Sequence, residues 1–231
     1  MTHSADARLA DPLRKVRGFM RSFQLVAGAV LILAFGQHAS ALVISSPGGL
    51  PVSPAHVVTF SGEPTGAYAT DTFLAPNLTI TGSQNLDGIN TDSFGASTTF
   101  PDFVDGVALG IRPAVGVGGT ITLTFTVPVT QVGLGIFDPN FVGTMVEFFG
   151  VGDVLLATQA LTLFPPGGSG ADYVGLVPPP ISGIAKVVVT AGPGDHLWID
   201  NVAYGVPEPT TLALLGIALA GLSFARRRKL H

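Results

Sequence analysis

Residues 120–127 read TITLTFTV, with Ile121, Leu123, Phe125 and Val127 alternating against Thr120, Thr122, Thr124 and Thr126. Successive side chains of a β-strand point to opposite faces, so this pattern offers one apolar face to a core and one hydroxyl-bearing face to water. Shorter period-two stretches recur at residues 56–60, 77–81, 107–111, 131–137, 144–149, 154–158, 173–176, 185–190 and 197–204. Turn formers separate them, among them Asp138-Pro139-Asn140, Gly150-Val151-Gly152-Asp153, residues 165–170 and Gly192-Pro193-Gly194. The spacing predicts an all-β domain, an antiparallel β-sandwich of jelly-roll-like character, with Ile121, Leu123, Phe125 and Val127 facing inward.

Helical, apolar signals occur only near the two ends. Residues 25–35 form an apolar run behind Arg21 and ahead of Ala39-Ser40-Ala41, the order of a signal peptide with a small-residue cleavage site. Cleavage by signal peptidase after Ala41 leaves Leu42 first. Residues 1–19 are polar and basic, so either the leader has a long basic start or translation begins at Met20. At the other end, residues 210–225 carry no charge and close on Arg226, Arg227, Arg228 and Lys229. A helix of that length spans roughly 24 Å against a hydrocarbon core of about 30 Å, and its basic flank belongs in the cytoplasm. Just before it, Pro207 and Pro209 lack backbone donors and hold the chain around Glu208 extended.

A Pro-Glu-Pro, a short hydrophobic helix and an Arg-rich end, in that order at the C-terminus, resemble the PEP-CTERM sorting signal of Gram-negative bacteria. The matching residues are Pro207, Glu208, Pro209 and the cluster Arg226, Arg227 and Arg228 with Lys229. The resemblance implies recognition by an exosortase, a membrane cysteine transpeptidase-like protease. It implies a precursor anchored in the inner membrane by its C-terminal helix, removal of the tail, and delivery to the cell surface or extracellular matrix. The expected organisation is a signal peptide at 1–41, a sandwich ectodomain at 42–206 and a sorting signal at 207–231, with its motif at 207–209, its transmembrane helix at about 210–225 and its basic tail at 226–231.

Between those ends two basic residues, Arg112 and Lys186, stand against twelve acidic ones, a net charge of −10. Such a surface disfavours nucleic acid and anionic lipid as partners and leaves divalent cations or neutral glycans. The chain has no cysteine, so neither disulfides nor thiol chemistry contribute. The ectodomain holds two histidines, His56 and His196, and no nucleophile elbow, phosphate loop or His-Glu-x-x-His, which leaves nucleophilic and zinc-dependent catalysis without their parts. Asp102 and Asp105 form a carboxylate pair of the kind glycoside hydrolysis uses, but loop aspartates are commonly turn formers. A non-enzymatic role is expected.

Three acids and one aromatic are candidates for binding. Asp87, Asn90 and Asp92 in LDGINTDSFG cluster oxygen ligands around a turn in a way that suits calcium, though the spacing is not that of an EF-hand. The stretches VEFFG at 146–150 and KVVVTAGPGDHLWIDNVAYG at 186–205 look like ectodomains that accompany this sorting signal, which in turn resemble jelly-roll carbohydrate-binding modules. That resemblance implies a structural calcium ligand at Asp200, where the alternative is an acid on the wet face or capping a turn. It also makes an exopolysaccharide-binding role the alternative function. Trp198, the one tryptophan, is either a platform for a sugar ring or a core residue in phase with Val202 and Tyr204.

Overall fold

The computed structural model describes residues 41–50, 56–94, 99, 103–165, 170–179 and 182–207, all within the unit Ser40–His231. They form fourteen strands: β1 (Leu42–Ile44), β2 (His56–Val58), β3 (Gly66–Ala67), β4 (Thr72–Ala75), β5 (Leu78–Gly82), β6 (Asp87–Asn90), β7 (Val107–Ile111), β8 (Gly119–Val129), β9 (Gln131–Phe137), β10 (Met145–Gly150), β11 (Leu155–Ala160), β12 (Ala171–Val177), β13 (Ile184–Ala191) and β14 (Leu197–Gly205). Every pairing is antiparallel. The eight-stranded sheet runs β1-β12-β9-β14-β7-β6-β3, with β2 also on β14, and the six-stranded sheet runs β11-β10-β13-β8-β5-β4. The two form an antiparallel sandwich, as the alternation predicts. Among the described residues no helix is long and apolar enough to cross a membrane; the helix expected at 210–225 lies outside them.

The core fills the space between the sheets. Ile121, Leu123 and Phe125 of β8, Val187 and Val189 of β13, and Val146 and Phe148 of β10 come from the smaller sheet. Leu134 and Ile136 of β9, Leu197, Ile199, Val202 and Tyr204 of β14, and Leu109 and Ile111 of β7 come from the larger one. Burying such side chains contributes about 1.5–3 kcal/mol each, which is what a domain without cysteines has to rely on.

Val127 departs from its expected inward position and is 47% exposed, while Val129 is buried. The cause is a break in the ladder. The β8–β13 register shifts between the pairs Thr124–Lys186 and Val129–Ile184, and Pro128 in that interval has no N–H to donate. The partner β5 ends opposite Phe125, and the Asn77 side chain continues in its place, accepting from the Val127 N–H (2.7 Å) and donating to the Val127 carbonyl (3.1 Å). Leu123→Ala should therefore cost about 2–5 kcal/mol, whereas Val127→Thr should stay within about 0.5 kcal/mol. Equal effects in urea titrations would contradict this assignment of faces.

The larger sheet is covered on its outer side as well. All seven residues of β9 are buried, with Val132, Leu134 and Ile136 facing the main core and Gly133, Gly135 and Phe137 facing out. A second small cluster of Val104, Ala108, Phe137, Ala171 and Trp198 lies there, with Ile89 and Phe103 packed against it. The close approach explains Gly135: a Cβ at that position would sit 2.0 Å from the Phe103 carbonyl oxygen. Trp198 belongs to this outer layer, not to the face of Val202 and Tyr204. Asn201 has φ +46°, and the β14–β9 register gains one residue between Asp200 and Ala203. That bulge reverses the phase of the strand, so residues 198 and 202 point to opposite sides.

Candidate functional site

The outer layer borders a cleft of about 280 Å³ lined by Ile89, Phe94, Arg112, Phe137, Asp138, His196 and Trp198. Its walls come from strand ends at one end of the larger sheet: β6, the residue after β7, the end of β9 and the start of β14. Trp198 forms the buried floor at 2% exposure. Gly110 makes room for the indole, since a Cβ there would lie 2.4 Å from its Cδ1 and 2.1 Å from the Leu197 carbonyl oxygen. Phe137 packs at 6.1 Å from the Trp198 ring and Phe94 at 6.0 Å from Phe137, with Phe94 itself 51% exposed. The His196 ring meets Trp198 edge-on at 6.0 Å.

Arg112 lies above the floor with its guanidinium carbon 5.4 Å from the Trp198 ring centre. Its Nε donates to Asp87 Oδ2, so ion pair and cation–π contact together fix the plane of the side chain. The indole Nε1 of Trp198 is buried and has no hydrogen-bond partner among the described residues.

The acids expected as calcium ligands are each engaged separately. Asp87 is buried and paired to Arg112. Asp92 accepts from the Gly106 N–H, just ahead of β7, at 3.2 Å. Asp200, rather than lying on a wet face, is fully buried and accepts the N–H groups of Asp105 (2.8 Å) and Asn201 (2.7 Å). Among the described residues no group of three or more His, Asp or Glu side chains gathers to hold a metal. Asp102 lies outside the described residues, and Asp105 meets Asp200 through its backbone. His56 stacks on Tyr204 at 5.2 Å.

Near the cleft, the Asp195 carboxylate gathers the Asn140 N–H (3.2 Å) and the Thr144 hydroxyl (2.5 Å) and so holds the 140–144 turn. Burial raises the pKa of Asp195. Burial pushes Asp138 up to about 6, with the Asn140 amide pulling it down and Asp195 adding to the rise. Burial likewise pushes Asp200 up to about 7, against the backbone hydrogen bonds that lower it. All three shifts lie above the ordinary aspartate value of about 3.9, so the folded state holds these protons more tightly than the unfolded chain. Their stabilising protonation is full below about pH 4 and is lost as pH rises through the folded values, about 6 for Asp138 and about 7 for Asp200. The melting temperature should accordingly rise when the pH is lowered from 8 to 5.5, and more weakly in Asp200→Asn. A flat or falling profile in the wild type would contradict it.

Of the sorting residues, Pro207 is described and lies two residues after the end of β14. Glu208, Pro209, Arg226, Arg227 and Arg228 lie outside the described residues, as does Ala39 of the expected cleavage site, while Ala41 packs against the main core just ahead of β1. Residues that sequence reading left out are Phe94, Phe137, Asp138 and above all Arg112, whose signal was its rarity as one of two ectodomain cations.

A family model for the PEP-CTERM protein-sorting motif matches residues 205–229. No curated protein matches the chain. Similar solved structures include a cleaved adhesin domain of Lys-gingipain, at 9% identity over 66% of this chain and 98% of that one, with a TM-score of 0.41. A family 29 carbohydrate-binding module from Piromyces equi matches at 13% identity over 72% and 91%, TM-score 0.37. A carbohydrate-binding module that recognises mannan matches at 12% identity over 72% and 99%, TM-score 0.34. The matched motif starts at Gly205, the last residue of β14. The chain thus carries a PEP-CTERM sorting signal joined directly to an antiparallel β-sandwich, and is an exported protein whose membrane-anchored precursor is processed by an exosortase.

Proposed function

We propose that the sandwich is a non-catalytic ectodomain displayed at the cell surface or in the extracellular matrix of a Gram-negative bacterium once its tail has been removed. The observation that carries this reading is the placement of the sorting motif at the end of β14, across the sheet from the cleft. On the β14–β9 ladder Trp198 pairs with Phe137 and Gly205 with Gln131, so seven residue steps, roughly 23 Å, separate cleft from tail. Leu42, the first residue after the expected signal cleavage, pairs with Val177 at the tail end of β12. Both ends of residues 42–206 therefore lie at the end of the larger sheet opposite the cleft. The buried acids serve the fold: Asp195 holds a turn, Asp200 ties β14 to the segment over it, and Asp87 pins Arg112.

Surface labelling of intact cells with antibody to the ectodomain tests the display. Labelling without permeabilisation is the expected result, and labelling only after the cells are opened would overturn it. A second reading, an exopolysaccharide-associated glycan-binding protein, is favoured by the cleft itself, whose floor and walls are aromatic in the manner of small-ligand sites.

A further inference from the structure

We infer that the cleft takes a single six-membered sugar ring bearing a carboxylate, a residue of the uronic-acid class, with the carboxylate on the two Nη groups of Arg112 and the ring against the exposed side of Phe94. This rests on the glycan-binding reading and deepens it.

Arg112 is the starting point. Of the two ectodomain cations, Lys186 is paired to Asp153 at 2.6 Å on the other sheet, which leaves Arg112 as the one that faces this cleft. Asp87 occupies only Nε, and among the described residues neither Nη has a partner. The two Nη groups form a planar fork that matches a carboxylate bidentately, a geometry a lysine lacks. That fork is already oriented: Asp87 holds one edge and the Trp198 face lies below it at 5.4 Å. Fixing a side chain before the ligand arrives removes part of the ordering cost of binding.

The size and lining select the rest of the ligand. About 280 Å³ is at the lower edge of the roughly 300–1,000 Å³ of small-molecule sites, so one ring fits and a chain extends outside. Phe94 offers half its surface to solvent, an apolar face beside a charged fork. Asp138, at the rim, has its pKa raised to about 6 by burial, so its charge, which opposes an anion, is removed as the pH falls below that value. The groups facing Arg112 are Asp87, Asp138 and His196. The −10 charge of the ectodomain opposes an anion at long range, but that repulsion is screened beyond about 8 Å at physiological ionic strength, whereas the contact with the fork is not.

The test is calorimetric titration of the full chain in detergent with three probes: a galacturonate trimer, its methyl ester and a galactose trimer. The expected result is that the acid binds about tenfold or more tightly than either neutral probe, a difference of roughly 1.4 kcal/mol. Arg112→Lys should abolish the preference while keeping a cation beside Asp87, and Phe94→Ala should weaken all binding with a far smaller loss of melting temperature than Trp198→Ala. Equal binding of acid and ester would overturn the carboxylate inference and leave glycan binding standing. Binding of none of the three overturns both. A preference for the acid that survives in Arg112→Lys would overturn the assignment to this cleft.

Discussion

Trp198→Ala is expected to destabilise the domain by about 3–5 kcal/mol, a large share of the 5–15 kcal/mol that holds a typical domain together. The indole is 2% exposed and touches Val104, Ala108, Phe137 and Ala171 in the outer cluster. It also supports Arg112 on its face and His196 on its edge. Gly110, paired with Trp198 on the neighbouring strand, has no side chain to fill the space the ring leaves. Urea unfolding checks this directly; a change below about 1 kcal/mol would mean that the ring is a surface platform. The same burial makes Trp198→Ala a poor probe of ligand contact, since it removes the floor that holds Arg112. Phe94→Ala, at an exposed ring, separates contact from folding.

Replacing Pro207, Glu208 and Pro209 together with alanine is expected to leave a longer, membrane-bound form in place of the processed protein. Proline lacks an N–H donor and disfavours helix, whereas alanine is the strongest helix former, so the substitution removes the helix-breaking boundary ahead of the apolar run at 210–225. Glu208 carries a charge that costs roughly 2.5–3.5 kcal/mol at the centre of a spanning helix, so the motif is expected to stay at the membrane surface, within reach of a protease. Without it the boundary shifts. Membrane fractionation with a mass measurement reads the outcome, and normal processing of the alanine form in cells that contain an exosortase would contradict it.

The fold was legible wherever one face of a strand is wet. β8, β10 and β13 of the smaller sheet alternate in sequence and in burial, because their outer faces meet solvent. β9 alternates Val132, Leu134 and Ile136 with glycine rather than with polar residues, because it is covered on both sides. The short strands β1, β3, β4 and β6 escaped notice, since two to four residues set no period and their pairing comes from neighbours already in place. Two errors of phase share one cause. Val127 and Trp198 were placed by counting in twos, and each count crosses an irregular register, at Pro128 in β8 and at Asn201 in β14. Asn201 in the left-handed region was the readable hint, since asparagine tolerates φ above zero better than most residues. The cleft was illegible for another reason: Ile89, Phe94, Arg112, Phe137 and Trp198 come from distant parts of the chain, and only the order of strands in the larger sheet brings them together. The sorting signal, by contrast, is contiguous, and its three parts were readable in order.

The most direct test of the account is the intact mass of the protein recovered from the cell surface or medium of cells that possess an exosortase. The account predicts a chain that begins near Leu42, ends close to Pro207–Pro209 and lacks residues 210–231. Surface material that still contains Arg226, Arg227 and Arg228 would contradict it and make the tail a permanent anchor.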